Sequence, residues 1–515
     1  MTTATTTPDR AATGSLPSHV EVAIVGSGFS GLGAAIGLKR SGRHDFVVLE
    51  RAGDLGGTWR DNSYPGCACD VPSHLYSFSF APNPAWSRAF SPQPEIQAYL
   101  QRTAEQFGVL PHVYFGAELT DATWDSDVSR WRITTRRGEL TADVLISATG
   151  PLSEPSIPAL PGLETFAGTT FHSAGWRHEH DLTGERVAVI GTGASAVQFV
   201  PHVQERAARM TLFQRTAPWV LPRRDRAISP KERRLYAALP LAQKVARSAI
   251  YWGRESWIFG FAVRPAVMEL AEKQALRLLH KQIRDPQLRA KLRPTFRLGC
   301  KRVLLSNTYY PALAQPNAEV VTDRITAVAA HAVVSTDEAG RRTEHPVDTI
   351  IFGTGFHVTD PPVAGRIRGR DGRTLAEHWA GGMQALHGLT IAGFPNLFFL
   401  VGPNTGLGHT SIVFMIEAQT RYLIAALDAM TTGGITALEP KRDVQDAYNA
   451  DLQRQLAGTV WNDGGCASWY LDPSGRNTTL WPTFTFSFWR TVRHFDLTEY
   501  RTVRSASRRP VAAPA

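Results

Sequence analysis

The chain is poor in cysteine. Among 515 residues there are four: Cys67, Cys69, Cys300 and Cys466. None forms a C-x-x-C pair, which argues against a thioredoxin-type dithiol. Cys67 and Cys69 stand too close together for an easy disulfide, and a zinc site needs more ligands at suitable spacing, so no metal is expected. Free thiols in a reducing cytoplasm are the expectation. Long apolar runs are also lacking. The best stretch, Trp257 to Val263, is flanked by Arg254, Glu255 and Arg264 and falls well short of the ~20 residues of a spanning helix. No stable membrane insertion is expected. The opening MTTATTTPDRAATGSLPSHV has neither the basic start nor the apolar stretch of a secretory leader. Residues 1–18 read as a disordered lead-in and 501–515 as a basic flexible tail. Adjacent Lys/Arg residues come only in pairs, such as Arg223-Arg224, with no longer run. The formal charge of +9 is therefore spread along the chain, which argues against nucleic acid.

What is present is an ordinary globular composition, 43% hydrophobic and 20% charged, at a length that implies two or three domains. Two glycine fingerprints stand out. The first is Gly26-Ser27-Gly28-Phe29-Ser30-Gly31, directly after an apolar strand His19–Val25 and before a helix through Leu32 to Leu38. Strand, glycine turn and helix together form a dinucleotide site, with the pyrophosphate on the helix N-terminus. The next strand, Phe46 to Leu49, ends in Glu50, which is placed to bond a ribose hydroxyl.

The second fingerprint is Gly191-Thr192-Gly193-Ala194-Ser195-Ala196, after the strand Arg186–Ile190. Ala196 takes the third glycine's place, where only a small residue is needed. The strand Thr211 to Gln214 is followed by Arg215, not by an acid. An arginine there holds a 2′-phosphate that a carboxylate would repel, so this site should prefer NADPH. The alternative is an arginine that merely faces solvent. Two dinucleotide sites in one chain imply electron transfer between them.

An unusual block follows the first unit: Gly56-Gly57-Thr58-Trp59, then Tyr64-Pro65-Gly66, then Asp70. Two glycines admit a flat group and a tryptophan walls it, so composition reads a loop over a cofactor. Asp70, in D-V-P-S, also fits a turn cap, and composition alone favours the cap.

The arrangement resembles the flavin-dependent class B monooxygenases, and among them the type I Baeyer–Villiger monooxygenases. The 56–70 block looks like one signature of that family. Phe166-x-Gly168-x-x-x-His172-x-x-x-Trp176 looks like the other, although Arg177 follows it where Pro or Asp is usual. Lys301-Arg302 with Tyr309-Tyr310, Gln214-Arg215-Thr216 and Phe352-Gly353-Thr354-Gly355-Phe356 match further family segments. Gly402 to His409 looks more like the sister enzymes that oxidise nitrogen and sulfur.

The resemblance implies an α/β fold with two Rossmann-like domains, for FAD and NADP, and a helical insertion. The FAD-binding domain is expected at 19–150 and 348–500, the NADP-binding domain at 151–229 and 294–347, and the insertion at 230–293. The insertion shows apolar spacing of three and four and reads as a partial roof over the site, with a membrane-surface helix as the lesser alternative. Phe484, Phe486 and Phe488 alternate as in a half-buried strand.

The resemblance also implies an NADPH- and O2-dependent cytoplasmic enzyme, a monomer or weak homo-oligomer. It would convert a small apolar ketone to an ester or lactone through a C4a-peroxyflavin. The alternative is oxidation of amines or sulfides. Arg302 and Asp70 would be catalytic. Gly26, Gly28, Phe29, Ser30, Gly31, Glu50, Gly57, Thr58, Trp59, Tyr64 and Asp70 would line the FAD side. Gly191, Thr192, Gly193, Ala194, Ser195, Arg215, Thr216, Lys301 and Arg302 would line the NADPH side. Trp469 is either a nicotinamide contact or a core residue, and His172 reads as an anchor more than a proton carrier.

Overall fold

Alternating small and β-branched residues put His19–Val25 (β1) at the centre of the first sheet, where Val22 to Val25 are buried. In chain order, β1 leads to the helix Phe29–Arg40 (α1) and then Phe46–Leu49 (β2), and later Gly138–Ser147 (β3). β1 pairs in parallel with β2 on one side and β3 on the other. A strand covered on both faces must be apolar throughout, as β2 is. Beyond β3 the sheet continues through Arg130–Thr135 and Leu119–Asp125 to Ile367–Arg368, while Leu397–Phe399 also pairs with β3. Segments before residue 148 and after residue 366 therefore share this sheet. The computed structural model describes residue 12 and residues 14–504, so most of the expected lead-in and the tail beyond Arg504 lie outside it.

The second sheet uses Thr169–His172 (β4), Arg186–Ile190 (β5), Arg209–Phe213 (β6), Ala318–Val321 (β7) and Thr349–Phe352 (β8). Its order is β7-β6-β5-β8-β4 and every pairing is parallel. The helix Ala194–Gln204 (α2) links β5 to β6. One expected boundary is corrected here. The chain was expected to leave the NADP unit at Asp348, yet β8 lies inside the second sheet, hydrogen-bonded between β5 and β4. Its four buried residues, Thr349 and the apolar Ile350 to Phe352, need cover on both faces, which the sheet centre provides.

The insertion is helical: Pro230–Ala238 (α3), Pro240–Glu255 (α4), Met268–Gln282 (α5) and a short Pro286–Lys291. Ser229 and Asp285 cap the first and last of these, each followed by a proline at the first helical position. Two more expectations are overturned near the end. Phe484 to Phe488 is no strand: Thr485–Thr491 is a helix with Thr485 and Phe488 buried. Tyr500–Arg504 pairs with Ile435–Pro440, so the expected flexible tail does not begin at 501. The largest buried cluster runs from Leu32 and Ile36 through Trp59 and Tyr64 to Phe199 and Val200, and so joins both nucleotide units.

Candidate active site between the two nucleotide loops

The two glycine loops are held by the same device. Gly26 has φ +104°, and a Cβ there would lie 2.6 Å from the Ala148 carbonyl oxygen. Gly191 has φ +109°, and its Cβ would lie 2.4 Å from the Gly353 carbonyl oxygen. Each loop thus rests on the T-G end of the neighbouring strand, β3 or β8. Neither α1 nor α2 has a side-chain cap, since Gly28 and Gly193 occupy those positions. The first N–H groups of both helices remain available to a pyrophosphate. Phe29 and Ser30 are buried under the first loop, whereas Gly193 and Ala194 are exposed and Ser195 half-buried at the second.

Charge separates the two. Glu50 is buried beneath the first loop and accepts from the Ser27 backbone N–H at 3.1 Å, the Ser27 hydroxyl at 2.5 Å and the Ala52 N–H at 2.9 Å. Arg60 pairs with it at 2.9 Å. At the matching end of β6, Arg215 is exposed. Beside it Lys301 Nζ donates to Thr216 Oγ1 at 2.7 Å, and Thr192 Oγ1 donates to the Thr216 carbonyl at 3.1 Å. Burial and then the nearby Arg215 depress the Lys301 pKa. Two cations held together in this way suit a phosphate dianion, so the residues fit NADP. The first loop, with its glycine turn and buried acid, fits FAD.

The 56–70 block spans the units. A Cβ on Gly57 would come within 3.1 Å of Gly28 Cα, which places this loop against the first fingerprint. Thr58–Asp61 forms one helical turn, and the buried Trp59 donates from Nε1 to the Tyr76 hydroxyl at 3.0 Å. Tyr64 Oη donates to Gln198 Oε1 at 3.0 Å, and Gln198 Nε2 donates to the Ala68 carbonyl at 2.9 Å. Gln198 lies on α2, so the block is fastened to the second unit.

At the end of the block Asp70 meets Arg302, 232 residues away. Arg302 Nε donates to Asp70 Oδ2 at 2.6 Å and Nη2 to Oδ1 at 2.7 Å. This two-pronged bond, not a turn cap, is what Asp70 makes. Burial alone would raise the Asp70 pKa, but Arg302 and then Arg254 reverse that and hold it below the usual carboxylate range. The Asp70 charge in turn pushes the Arg302 guanidinium well above its ordinary value, so it stays charged. Nη1 makes only a 3.4 Å contact with the Leu407 carbonyl, and about 30% of the Arg302 side chain remains open to a cavity. Trp257, Phe261, Val303 and His409 line that cavity.

Several contributors escaped the sequence reading. Arg254, at the end of α4, donates to the Asp70 backbone carbonyl at 2.9 Å. Its neighbour Glu255 is buried and accepts from the Thr485 hydroxyl at 2.9 Å, with His409 Nε2 at 3.2 Å. The insertion therefore builds the site's wall as well as covering it. A signal was present: Gln243, Arg247 and Arg254 recur at helical spacing on one face of the segment read as a partial roof.

His172 is buried and accepts from the Ala174 N–H at 3.1 Å through Nδ1. Burial lowers its pKa to about 4, so it is neutral near pH 7. It sits at the end of β4, paired with Phe352, in an anchoring position. Trp469 is 43% exposed and its neighbour Tyr470 is buried, so the core role belongs to Tyr470. The expectation of four free thiols is corrected. Cys300 and Cys466 form a disulfide, while Cys67 and Cys69 are free and buried. The fold brings together two cysteines 166 residues apart, and no spacing rule could pair them.

Two glycine clasps with an acid under one and a cation pair beside the other define a flavin–nicotinamide oxidoreductase. A family model described as flavin-binding monooxygenase-like matches residues 19–240. A Baeyer–Villiger monooxygenase of Streptomyces coelicolor is 56% identical over 489 residues, covering 95% of this chain and 93% of the relative. The closed crystal structure of cyclohexanone monooxygenase matches with a TM-score of 0.85 at 26% identity, over 95% of this chain and all of that one. A complex of OTEMO with FAD and NADP matches at TM-score 0.83 and 25% identity, over 94% of this chain and 99% of that one. The chain belongs to the Baeyer–Villiger monooxygenase family, and the protein is an FAD- and NADPH-dependent enzyme of that kind.

Proposed function

We propose that the Asp70–Arg302 pair is the centre at which oxygen is inserted beside the carbonyl of a small apolar ketone, giving an ester or lactone. The observation that carries this is the two-pronged bond, which uses Nε and Nη2 for Asp70 and leaves Nη1 with only a long contact to Leu407, on an arginine that lines the cavity. Bound FAD, reduced by NADPH and supplied with O2, provides the oxidising group. Arg302 then holds the ketone oxygen and the negative charge that grows on it. Two unit charges ~4 Å apart interact by ~4 kcal/mol at an effective dielectric near 20, enough to matter in a barrier. Asp70 fixes the plane of the guanidinium, and Arg254 fixes the Asp70 backbone. Lysine at 302 has no rigid fork and would lose the two-nitrogen grip on Asp70 and with it the orientation.

Arg215, Thr216 and Lys301 hold the 2′-phosphate of NADPH, and Glu50 holds the FAD ribose. Trp469, exposed beside buried Tyr470, contacts the nicotinamide side. His172 acts as an anchor, since a neutral imidazole with a pKa near 4 is a poor proton carrier at pH 7. The enzyme works in the cytoplasm, where its NADPH is supplied.

The test is Arg302→Ala in the holoenzyme. Flavin reduction by NADPH should persist, while ester formation falls by ~10²–10³ or more. A variant that still converts ketones well would overturn the assignment. Product analysis on a ketone panel and a thioether panel shows which substrate class depends on Arg302.

A further inference from the structure

The insertion carries an amphipathic helix that faces the wrong way for an ordinary surface element. On α4 the inward face carries polar side chains beside Ile250 and Tyr251, which pack on the core. Gln243 Nε2 donates to the Asn83 carbonyl at 2.8 Å, and Arg247 to the His74 carbonyl at 2.7 Å. Arg254 and Glu255 reach Asp70 and Thr485, as described above. The outward face is apolar. Leu241 is 73% exposed, Val245 62% and Trp252 58%. Leu235 and Leu239 before them, and Phe259, Val263 and Leu270 after them, are exposed as well. Among the described residues nine of the thirteen exposed large apolar side chains fall between Leu235 and Leu270, and Leu241, Val245 and Trp252 share one face of α4 by helical spacing. A contiguous apolar face of this kind marks an interaction site.

Charge identifies what meets it. Residues 230–281 hold ten Lys/Arg against four acids. All four acids are engaged: Glu232 with Arg226, Glu269 and Glu272 with Arg297, and Glu255 with His409 in the interior. Lys231, Arg234, Lys244, Arg264 and Lys273 are exposed around the apolar face. A second copy of the chain would bring like charges together around this rim. A layer of anionic headgroups over acyl chains complements both parts, because apolar side chains enter the boundary while the cations stay among the phosphates.

We infer that α3, α4 and the turn through Val263 form a reversible docking face for an anionic phospholipid surface. No helix among the described residues is long and apolar enough to span a membrane, so the contact is interfacial. The same segment carries Trp257 and Phe261 into the cavity beside Arg302. Docking therefore sets the cavity wall against the phase in which apolar substrates dissolve. The docking itself does not depend on the role proposed for Arg302.

The experiment is co-sedimentation of the FAD-loaded enzyme with vesicles of phosphatidylglycerol and phosphatidylcholine, compared with phosphatidylcholine alone. Binding should be at least ~10-fold tighter on the anionic vesicles and should weaken in about 0.5 M salt. The triple variant L241S/V245S/W252S should lose at least ~10-fold in vesicle binding. Its NADPH oxidation with a water-soluble substrate should stay within about twofold of the parent, since these side chains touch neither cofactor loop. The charge variant K231E/K244E/R264E should lose the preference for anionic lipid while keeping the apolar face. Equal sedimentation of parent and triple variant, or none by either, overturns the proposal. So does a concentration-dependent dimer of the parent that the triple variant dissolves, because a second copy would then cover the face.

Discussion

The two nucleotide units are the same machine built twice, and they differ where it matters. Each has a glycine at φ above +100° pressed against a carbonyl of the adjacent strand, Gly26 on Ala148 and Gly191 on Gly353. Each helix starts on an uncapped glycine. The first unit then buries an acid and locks it with Ser27, Ala52 and Arg60. The second places an arginine at the surface with a lysine behind it. The shared geometry selects a pyrophosphate. The sign and burial of one charge are what distinguish the two, which is the basis of the roles proposed for Glu50 and Arg215.

The sharpest break between the units is at the third fingerprint position. A Cβ on Gly31 would lie 1.8 Å from the Gly26 carbonyl oxygen, whereas Ala196 is already accommodated beside Gly353. Gly31→Ala should cost ~3 kcal/mol or more and yield protein without flavin colour. Ala196→Gly should cost only ~1 kcal/mol of helix stability and keep NADPH binding. Absorbance of the purified proteins and thermal melts read both; a yellow, stable Gly31→Ala protein would show that the clasps are not equivalent in the way described.

Acid should weaken the second unit first. The folded pKa of His172, about 4, lies below that of an unfolded histidine. The unfolded chain therefore binds the proton more readily, and stability is lost as pH falls from ~6.5 towards 4, on the order of 3 kcal/mol in total. His172→Asn keeps an acceptor for the Ala174 N–H and should flatten that slope in denaturant titrations across the window.

Arg215→Ala should raise the KM for NADPH by ~10–100-fold, the loss of one to two charge-assisted hydrogen bonds, and leave NADH within about twofold. Equal losses for both would remove the phosphate role from Arg215. The smallest effect belongs to Glu50→Gln, which preserves shape and removes charge. It should weaken FAD retention by ~5-fold, about 1 kcal/mol, without changing the KM for NADPH.

The parts legible in the sequence are those governed by local chemistry. β1 and β5 fall where apolar strands precede glycine turns, and β2 and β6 are the apolar strands that run up to Glu50 and to Gln214-Arg215. The Asp70–Arg302 pair was reached through family resemblance, since composition alone favoured a cap. Other features are set by tertiary structure. Phe484 and Phe488 cannot separate strand from helix, because residues four apart share a face under either period, and only Phe486 distinguishes them. The partners of Thr485 and Phe488 decide it, and those include Glu255 from the distant insertion. β8 reads the same in either sheet, and its membership depends on β5 and β4. Arg254 was hidden by its setting, a helix whose inner side mixes Gln243, Arg247 and Glu255 with Ile250 and Tyr251.

The Cys300–Cys466 bridge closes a covalent ring that contains Lys301 and Arg302 at one end and approaches Trp469 at the other. Within such a ring, the loop at 466–470 and the cation pair share a fixed hinge point. On the roles proposed for Lys301 and Arg302, a displacement of that loop should be felt by both side chains, a coupling the reduced protein would lose.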